Sequence, residues 1–430
     1  MYLLERQRKI LGLLLILSSS VFAREITLDQ AIQMALENSK EIKISEKDVE
    51  VSKLKVGMAF KDALPSVVYS GSYTRGEYER PMKRHSWEKN QVDRKGGYTQ
   101  TITISQPIFQ GGAVLGGIKG AQAYKNISNL LYMGERRDVR LETISNYSNI
   151  VKLEKDLEAL ESSHKELKAR YEKQKAQLDL RLITKTDILK TEYSMLEVES
   201  QIIGTKNSIE IEKEKLKIKT GLVNDKDIEV VEFTVPENLS RNIDFAKDKE
   251  QALTESIGAL TAKYYVEAAD ASKMISRADM LPKVNAFASY GTSERTKYNP
   301  TIDEAEWRGG VQVTWNVFEF GKNYDNYRVA SITKEQEELR EKISKDDIGI
   351  NVTDAYLELI RMEKERSSKE RAMEAAIENF KMDQERYDAG LISTVDFLLS
   401  ETQMREAKVA YNQVVIDYLY AFERYRSMLI

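Results

Sequence analysis

Leu182-Ile183-Thr184-Lys185-Thr186-Asp187-Ile188-Leu189 returns as Leu391-Ile392-Ser393-Thr394-Val395-Asp396-Phe397-Leu398, 209 positions later (182 to 391). The same offset lays Gln106-Pro107-Ile108-Phe109-Gln110-Gly111-Gly112 on Trp315-Asn316-Val317-Phe318-Glu319-Phe320-Gly321. Leu64-Pro65-Ser66 and Leu281-Pro282-Lys283 lie 217 apart (64 to 281), so the first copy has a loop about eight residues longer. Solenoid repeats run roughly 20–50 residues. A period near 209 is one architectural half written twice, and it limits the folds available.

Residues 1–23 read as an export signal. Arg6, Arg8 and Lys9 precede the apolar run Ile10 to Leu17, and Val21-Phe22-Ala23 fits a signal peptidase site. The run is too short to span a bilayer as a helix; an uncleaved anchor is the alternative. The chain has no cysteine, which excludes disulfides and lipidation of a new N-terminal Cys. Without residues 1–23 the chain loses three basic groups and one acidic group, leaving 62 Lys+Arg against 68 Asp+Glu, a net charge of −6. The signs are interspersed, and no clustered basic face is offered to nucleic acid.

Pro65, Pro81, Pro107, Pro236, Pro282 and Pro300 are the only prolines. Residues 112–220 and 321–430 are free of this helix breaker and read as helical for almost their whole length. Thr27 and Gln30 form a capping box that starts a helix to about Asp62. A second helix covers roughly 246–280. Strands are expected at about 66–78, 97–109, 283–293 and 307–318. In them Tyr69 and Tyr73, Ile102 and Ile104, Val284, Ala286, Ala288 and Tyr290, and Val311, Val313, Trp315 and Val317 alternate with polar residues. The chain divides into the signal, a first repeat at 24–220, a connecting segment at 221–245 and a second repeat at 246–430.

Ten-residue strands with one apolar and one polar face are the signature of an outer-membrane barrel. Four strands cannot close one, and an open edge in lipid is not tolerated. The chain therefore makes a soluble four-stranded sheet or completes a barrel with copies of itself; the export signal and long helices favour the second. The helices carry a heptad. After Asp187 a column reads Ile188, Met195, Ile202, Ile209, Leu216, and after Asp396 it reads Phe397, Met404, Tyr411, Tyr418, Tyr425. Upstream, Leu153, Leu157, Leu160, Leu167, Tyr171 and Leu178 keep a 4-3 spacing interrupted by His164 and Gln174. A helix from about 113 to 181 would be roughly 100 Å long, a length suited to crossing a space.

Enzyme chemistry has little to stand on. The two histidines are His85, in a charged loop, and His164, at a heptad core position opposite Met373 in the second repeat. No zinc cluster or nucleophile–base pair is legible, and no cofactor is called for. Gly111-Gly112 and Gly116-Gly117 lack the Lys-Ser/Thr ending of a phosphate loop; glycine there eases the turn from strand into helix. Loops 75–97 and 293–308 are dense with charge and read as solvated loops at one end of a barrel, with a receptor role as an alternative. Asp187 and Asp396 sit at turn-to-helix boundaries, where a carboxylate favours a helix N-terminus. In copies assembled about an axis, they would also form acidic rings that select by charge.

The chain resembles the TolC family of outer membrane efflux and secretion channels over residues 24–430. The resemblance is carried by Thr27-Leu28-Asp29-Gln30-Ala31-Ile32, by Leu-Pro before strands one and three, and by Gln106 to Gly112. Most specific is Arg386-Tyr387-Asp388-Ala389-Gly390-Leu391-Ile392-Ser393-Thr394-Val395-Asp396-Phe397-Leu398. It implies a mainly α fold with a four-stranded β contribution. Three chains would build a twelve-stranded outer-membrane β-barrel in outer-membrane lipid, continuous with a periplasmic α-barrel that has a mixed region near 221–245. Implied partners are a homotrimer, a periplasmic adaptor (membrane fusion) protein and an inner-membrane pump of RND, ABC or MFS type.

The tips near 179–187 and 388–396, with Leu182, Ile183, Gly390, Leu391 and Ile392, would meet the adaptor. The family's gate residues match Thr186, Asp187, Tyr387 and Asp396. The family's gate arginine falls on Ile392 and a second ring aspartate on Leu399, so Arg181 and Lys185 are the candidate replacement cations. Gly390 is matched by Arg181, which makes the two tips unlike. The function implied is an exit duct for efflux or type I secretion. The alternative is a structural or adhesive coiled-coil surface protein. A periplasmic enzyme is disfavoured by the histidine and cysteine count, and an adaptor subunit by the four alternating strands.

Overall fold

Thr27 starts the first helix as read. Its hydroxyl accepts from the Gln30 amide at 3.3 Å, and the Gln30 side chain accepts from the Thr27 amide at 3.0 Å. The structure, a computed structural model, describes residues 24–79, 92–224, 227–292 and 305–430, with backbone alone for 74–79 and 92–98. The expected signal at 1–23 and His85 lie outside those residues. Helix α1 is Leu28–Asn38 and α2 is Lys40–Lys61. The single helix expected to about Asp62 is broken at Ser39, buried and extended (φ −52°, ψ 132°), whose hydroxyl accepts from the Ile42 amide. The expected helix at 246–280 is likewise two, α5 (Phe245–Glu255) and α6 (Ile257–Ala278), broken at Ser256, whose hydroxyl accepts from the Ala259 amide. Ser39 and Ser256 are 217 positions apart, the offset of the two Leu-Pro pairs. In each, a short hydroxyl side chain competes for backbone N–H groups and restarts the helix.

Strands β1 (Arg24–Ile26) and β4 (Ile228–Val230) pair in parallel. The larger sheet holds β2 (Ser66–Glu79), β3 (Val92–Phe109), β5 (Lys283–Thr292) and β6 (Glu306–Thr314), all antiparallel in the order β2-β3-β5-β6. Its register sets Val67 beside Ile104, Tyr69 beside Ile102 beside Tyr290 beside Trp307, and Ala286 beside Val311. Side chains alternate across a strand, so these share one face while Ser70, Thr101, Thr103, Ser289 and Gln312 share the other. Two boundaries differ from expectation. β3 starts at Val92 because its pairing with β2 continues to Glu79, so of the expected loop 75–97 residues 75–79 and 92–97 belong to strands and 80–91 lie outside the described residues. β6 ends at Thr314, and the Trp315 indole donates to the Met280 carbonyl at 3.1 Å instead of continuing the ladder. Of the expected loop 293–308, residues 306–308 belong to β6 and 293–304 lie outside the described residues.

The proline-free runs give four long helices. α3 (Ala113–Asp179) and α7 (Lys322–Asp388) have 67 residues each; α4 (Lys185–Thr220) has 36 and α8 (Thr394–Met428) has 35. None of the described helices is long and apolar enough to cross a membrane. The chain forms two units. One contains the four-stranded sheet and comprises Ser45–Tyr132 and Thr254–Ile348. The other comprises, of the described residues, 24–44, Met133–Leu253 and Gly349–Ile430. Its connecting segment holds β4 and the 3-10 turn Leu239–Asn242. There Ile26, Tyr147, Ile150, Leu216 and Ile228 form a core, and the Tyr147 hydroxyl, pushed up to about 12 by burial, lies 2.7 Å from the Ile26 carbonyl.

Gly111 (φ 63°) and Gly112 (φ 96°) turn β3 into α3, and a Cβ on Gly111 would sit 2.6 Å from the Ala278 carbonyl oxygen. Gly111→Ala is expected to lower stability by on the order of 2 kcal/mol, from left-handed strain plus this clash. Thermal unfolding of the detergent-purified protein measures it; a loss no larger than that of Gly204→Ala, where nothing approaches the added carbon, would refute the account.

Candidate functional site

Two helix–turn–helix tips are built alike. After α3, the Leu182 amide donates to the Gln177 carbonyl at 2.9 Å and the Arg181 amide to Leu178 at 2.8 Å. After α7, the Leu391 amide donates to Arg386 at 2.8 Å and the Gly390 amide to Tyr387 at 2.9 Å. This is the helix ending that needs one left-handed residue, and Arg181 (φ 61°) and Gly390 (φ 73°) supply it. The tips are therefore alike in backbone, and they differ in the residue that makes the turn, Arg181 in the first and Gly390 in the second. Arg181 carries strain that glycine avoids.

Each tip restarts through a capping box. Asp187 Oδ2 accepts from the Thr184 hydroxyl at 2.6 Å and from the Thr184 amide at 3.3 Å. Asp396 Oδ2 accepts from the Ser393 hydroxyl at 2.7 Å and the Ser393 amide at 3.3 Å. Thr186 and Lys185 stand exposed on the first turn of α4, and Leu182 and Leu391 are exposed on the turns. Ile183 and Ile392 are half-buried; Ile392 packs on the apolar cluster of Leu160, Leu167, Val198, Phe397 and Leu398.

A cleft between the tips gathers Ile183, Leu182, Asp187, Tyr387, Gly390 and Ile392 with Arg170, Lys173 and Asp388. Arg181, Lys185, Thr186, Leu391 and Asp396 do not line it. The Tyr387 hydroxyl accepts from Gln174 Nε2 at 2.8 Å and lies 3.1 Å from the Thr394 hydroxyl. The cations at the cleft are Arg170 and Lys173, which donate to Asp388 Oδ1 at 2.5 and 2.8 Å. The Arg170 guanidinium also lies 4.7 Å from the Phe397 ring centre and 4.9 Å from that of Tyr387.

Sequence reading missed Arg170, Lys173 and Asp388, and took Gln174 for a mere interruption. The signal lies in α3. Its buried seam is Asp156, Leu160, Ser163, Leu167, Arg170 and Gln174, a 4-3 pattern shifted from the leucine-rich one. Asn412 donates to Asp156 at 2.8 Å, and Ser163 donates to Glu401. His164, half-buried, stands beside the seam and not on it.

Two carboxyls here titrate low. The Arg170 guanidinium, then Lys173, holds Asp388 below the usual carboxylate range. The Thr184 hydroxyl does the same for Asp187. Asp156 moves up because burial outweighs its bond to Asn412. No cluster of metal-ligating residues is present among the described residues.

The family described as outer membrane efflux protein matches residues 31–221 and 250–429. The alkaline protease secretion protein AprF of Pseudomonas aeruginosa is 22% identical over 433 residues, 96% of this chain and 86% of that protein. The Campylobacter jejuni CmeC outer membrane channel superposes with a TM-score of 0.81 at 17% identity, covering 94% of this chain and 85% of that one. The Vibrio cholerae outer membrane protein VceC gives 0.77 at 14% identity, covering 93% and 95%. Nothing in these comparisons supports the adhesive alternative.

A carboxyl with a depressed folded-state pKa adds stability above its unfolded value and loses it as pH falls through the depressed one. The thermal midpoint should therefore drop as pH falls below about 4, and Asp388→Asn should remove part of that drop. An unchanged acid limb in this variant would overturn the pairing. At neutral pH, Arg181→Gly should hold or raise stability by up to about 1 kcal/mol.

Proposed function

This chain belongs to the outer membrane efflux protein family, and we propose that three copies of it form one exit duct. It is an outer-membrane protein with its helical part in the periplasm. In the proposed assembly the sheets of three copies join edge to edge into a twelve-stranded barrel, and the helices close into a tube. The tandem halves are the product of one duplication, joined through 221–245. The duct passes substrate from an inner-membrane pump of RND, ABC or MFS type, reached through a periplasmic adaptor. The exposed tips, Leu182, Ile183, Gly390, Leu391 and Ile392, are the adaptor's docking points. Thr186, Asp187, Tyr387 and Asp396 form the gate. AprF, by its name a protease secretion protein, keeps type I secretion beside efflux as a cargo class.

The observation that carries this reading is apolar surface that one chain cannot cover. Among the described residues, β2 and β6 each leave one edge unpaired. Val67, Tyr69, Ile102, Ile104, Trp307, Val311 and Val313, on one face of the sheet, are exposed. α4 exposes Leu189, Tyr193, Leu196, Ile203, Ile211 and Ile218, and α7 exposes Val329, Ile332, Leu339, Ile343, Ile350 and Leu357. The α7 set keeps heptad spacing, and the α4 set keeps it apart from one step of eight between Ile203 and Ile211. Covering six large apolar side chains is worth on the order of 10 kcal/mol, enough to make neighbouring copies the natural partners of the helices and lipid the partner of the sheet.

Native mass spectrometry of the detergent-purified protein is expected to give three chains, and planar bilayers to give a stable conductance. A monomer that stays soluble without detergent would refute the duct. The capping geometry separates two roles of Asp396. Asp396→Asn keeps an acceptor for Ser393 but removes the charge, so divalent-cation block should weaken while stability falls by only about 0.5 kcal/mol, the lost attraction to the helix N-terminus. Asp396→Ala should lose the block and also about 1 kcal/mol of helix capping. Block unaltered in both variants would mean that Asp396 is a cap alone.

A further inference from the structure

We infer that Arg170 is a positioning residue of the tip, holding the turn after α7 against α3 of the same chain through Asp388. This deepens the gate reading above and rests on it for its effect on conductance. Arg170 is 7% exposed. A buried guanidinium needs a counter-charge, and Asp388, the last residue of α7, provides one at 2.5 Å. The ring of Tyr387 and the ring of Phe397, first turn of α8, present their faces to the same cation, an attraction that strengthens where water is excluded. One side chain of α3 therefore grips both sides of the 389–393 turn.

Neighbouring contacts act in the same direction. Gln174, fully buried, donates to the Tyr387 hydroxyl, and Gln384 of α7 donates to Glu166 of α3. Ile392, where the resemblance places the family's gate arginine, is apolar and packed on the tip cluster. The cation of this tip thus comes from within α3 and binds inside the chain. Movement of the 389–393 turn requires breaking the Arg170–Asp388 pair, and Lys173, half-exposed on the same oxygen, keeps Asp388 ionised while it does.

The chain has no cysteine, so Leu167→Cys, fully buried one turn from Arg170, gives a single thiol at the α3 seam. Its rate of reaction with a maleimide is measured in the trimer, alone and with Asp388→Asn, Arg170→Met or Asp388→Glu. Expected are a rise of about 10²-fold with Asp388→Asn, a comparable rise with Arg170→Met, and a rate within about twofold of the parent with Asp388→Glu, which restores the charge. The same variants without the cysteine should change single-channel conductance in that order. A rate unmoved by Asp388→Asn and Arg170→Met overturns the inference, as does a rise with Asp388→Glu equal to that with Asp388→Asn, which marks a packing defect. The thiol readout does not depend on conduction. Altered protection without any conductance keeps the positioning role and removes the duct; unaltered protection, with divalent block still sensitive to Asp396→Asn, does the reverse.

Discussion

Polar side chains seven residues apart on α3 fix how the two tip hairpins of one chain meet. Asp156, Ser163 and Arg170 are buried, and each finds a partner across the seam in Asn412, Glu401 and Asp388. Leu160 and Leu167 lie between them. Apolar contact has no direction, and a slide of one heptad would set leucine on leucine again. The polar column forbids it, because a slide orphans a carboxylate or a guanidinium, at about 1–3 kcal/mol for each neutral group and more for each charge. A polar residue at a core position trades stability for register. Asp156 shows the trade, since its burial raises its pKa in spite of its amide partner.

The sheet obeys the same division between what attracts and what specifies. Its pairing sets Ser70, Thr101, Thr103 and Ser289 on one face and Tyr69, Ile102, Tyr290, Trp307 and Val311 on the other. A slip of one residue would exchange the faces of a whole strand, which no bilayer would accept. Mean hydropathy of −0.49 hides this surface, because the apolar residues are spread at period two along strands and period seven along helices. Bulk composition describes the chain as polar; the placement of residues leaves it with apolar faces exposed on sheet and helices.

Much of this was legible in the sequence because the signals are local. The columns after Asp187 and Asp396 are buried in the structure at Ile188, Ile209 and Leu216 and at Phe397, Tyr418 and Tyr425. The Thr27 box and the Gly111-Gly112 turn depend only on near neighbours, and they too are found as read. The α3 seam was not legible. Two 4-3 patterns share Leu160, Leu167 and Gln174. Hydrophobicity selects the one through Leu157, Tyr171 and Leu178, whereas the fold buries the one through Asp156, Ser163 and Arg170. The groups that make those polar positions tolerable are more than 200 positions away, at Asn412, Glu401 and Asp388, and no local pattern announces them. Ser39 and Ser256 were overlooked for the opposite reason: a serine within a good helical pattern carries no mark of whether its hydroxyl will face solvent or cap a new helix.

The acids of the tip sit in opposite electrostatic settings. Asp187 and Asp396 lie in the first turns of α4 and α8, where the helix dipole and the capping bonds favour a negative charge. Both of those bonds fall on Oδ2 in each residue, so the carboxylate is held rigidly whatever surrounds the turn. Asp388 is the last residue of α7, the end at which the dipole opposes a negative charge. Its stability there is borrowed from Arg170 and Lys173 of another helix. A charge held by its own turn moves with that turn intact, whereas one held across helices ties them together. The electrostatics of the tip therefore reside less in the acids a motif search finds than in the one placed at the unfavourable end of its helix.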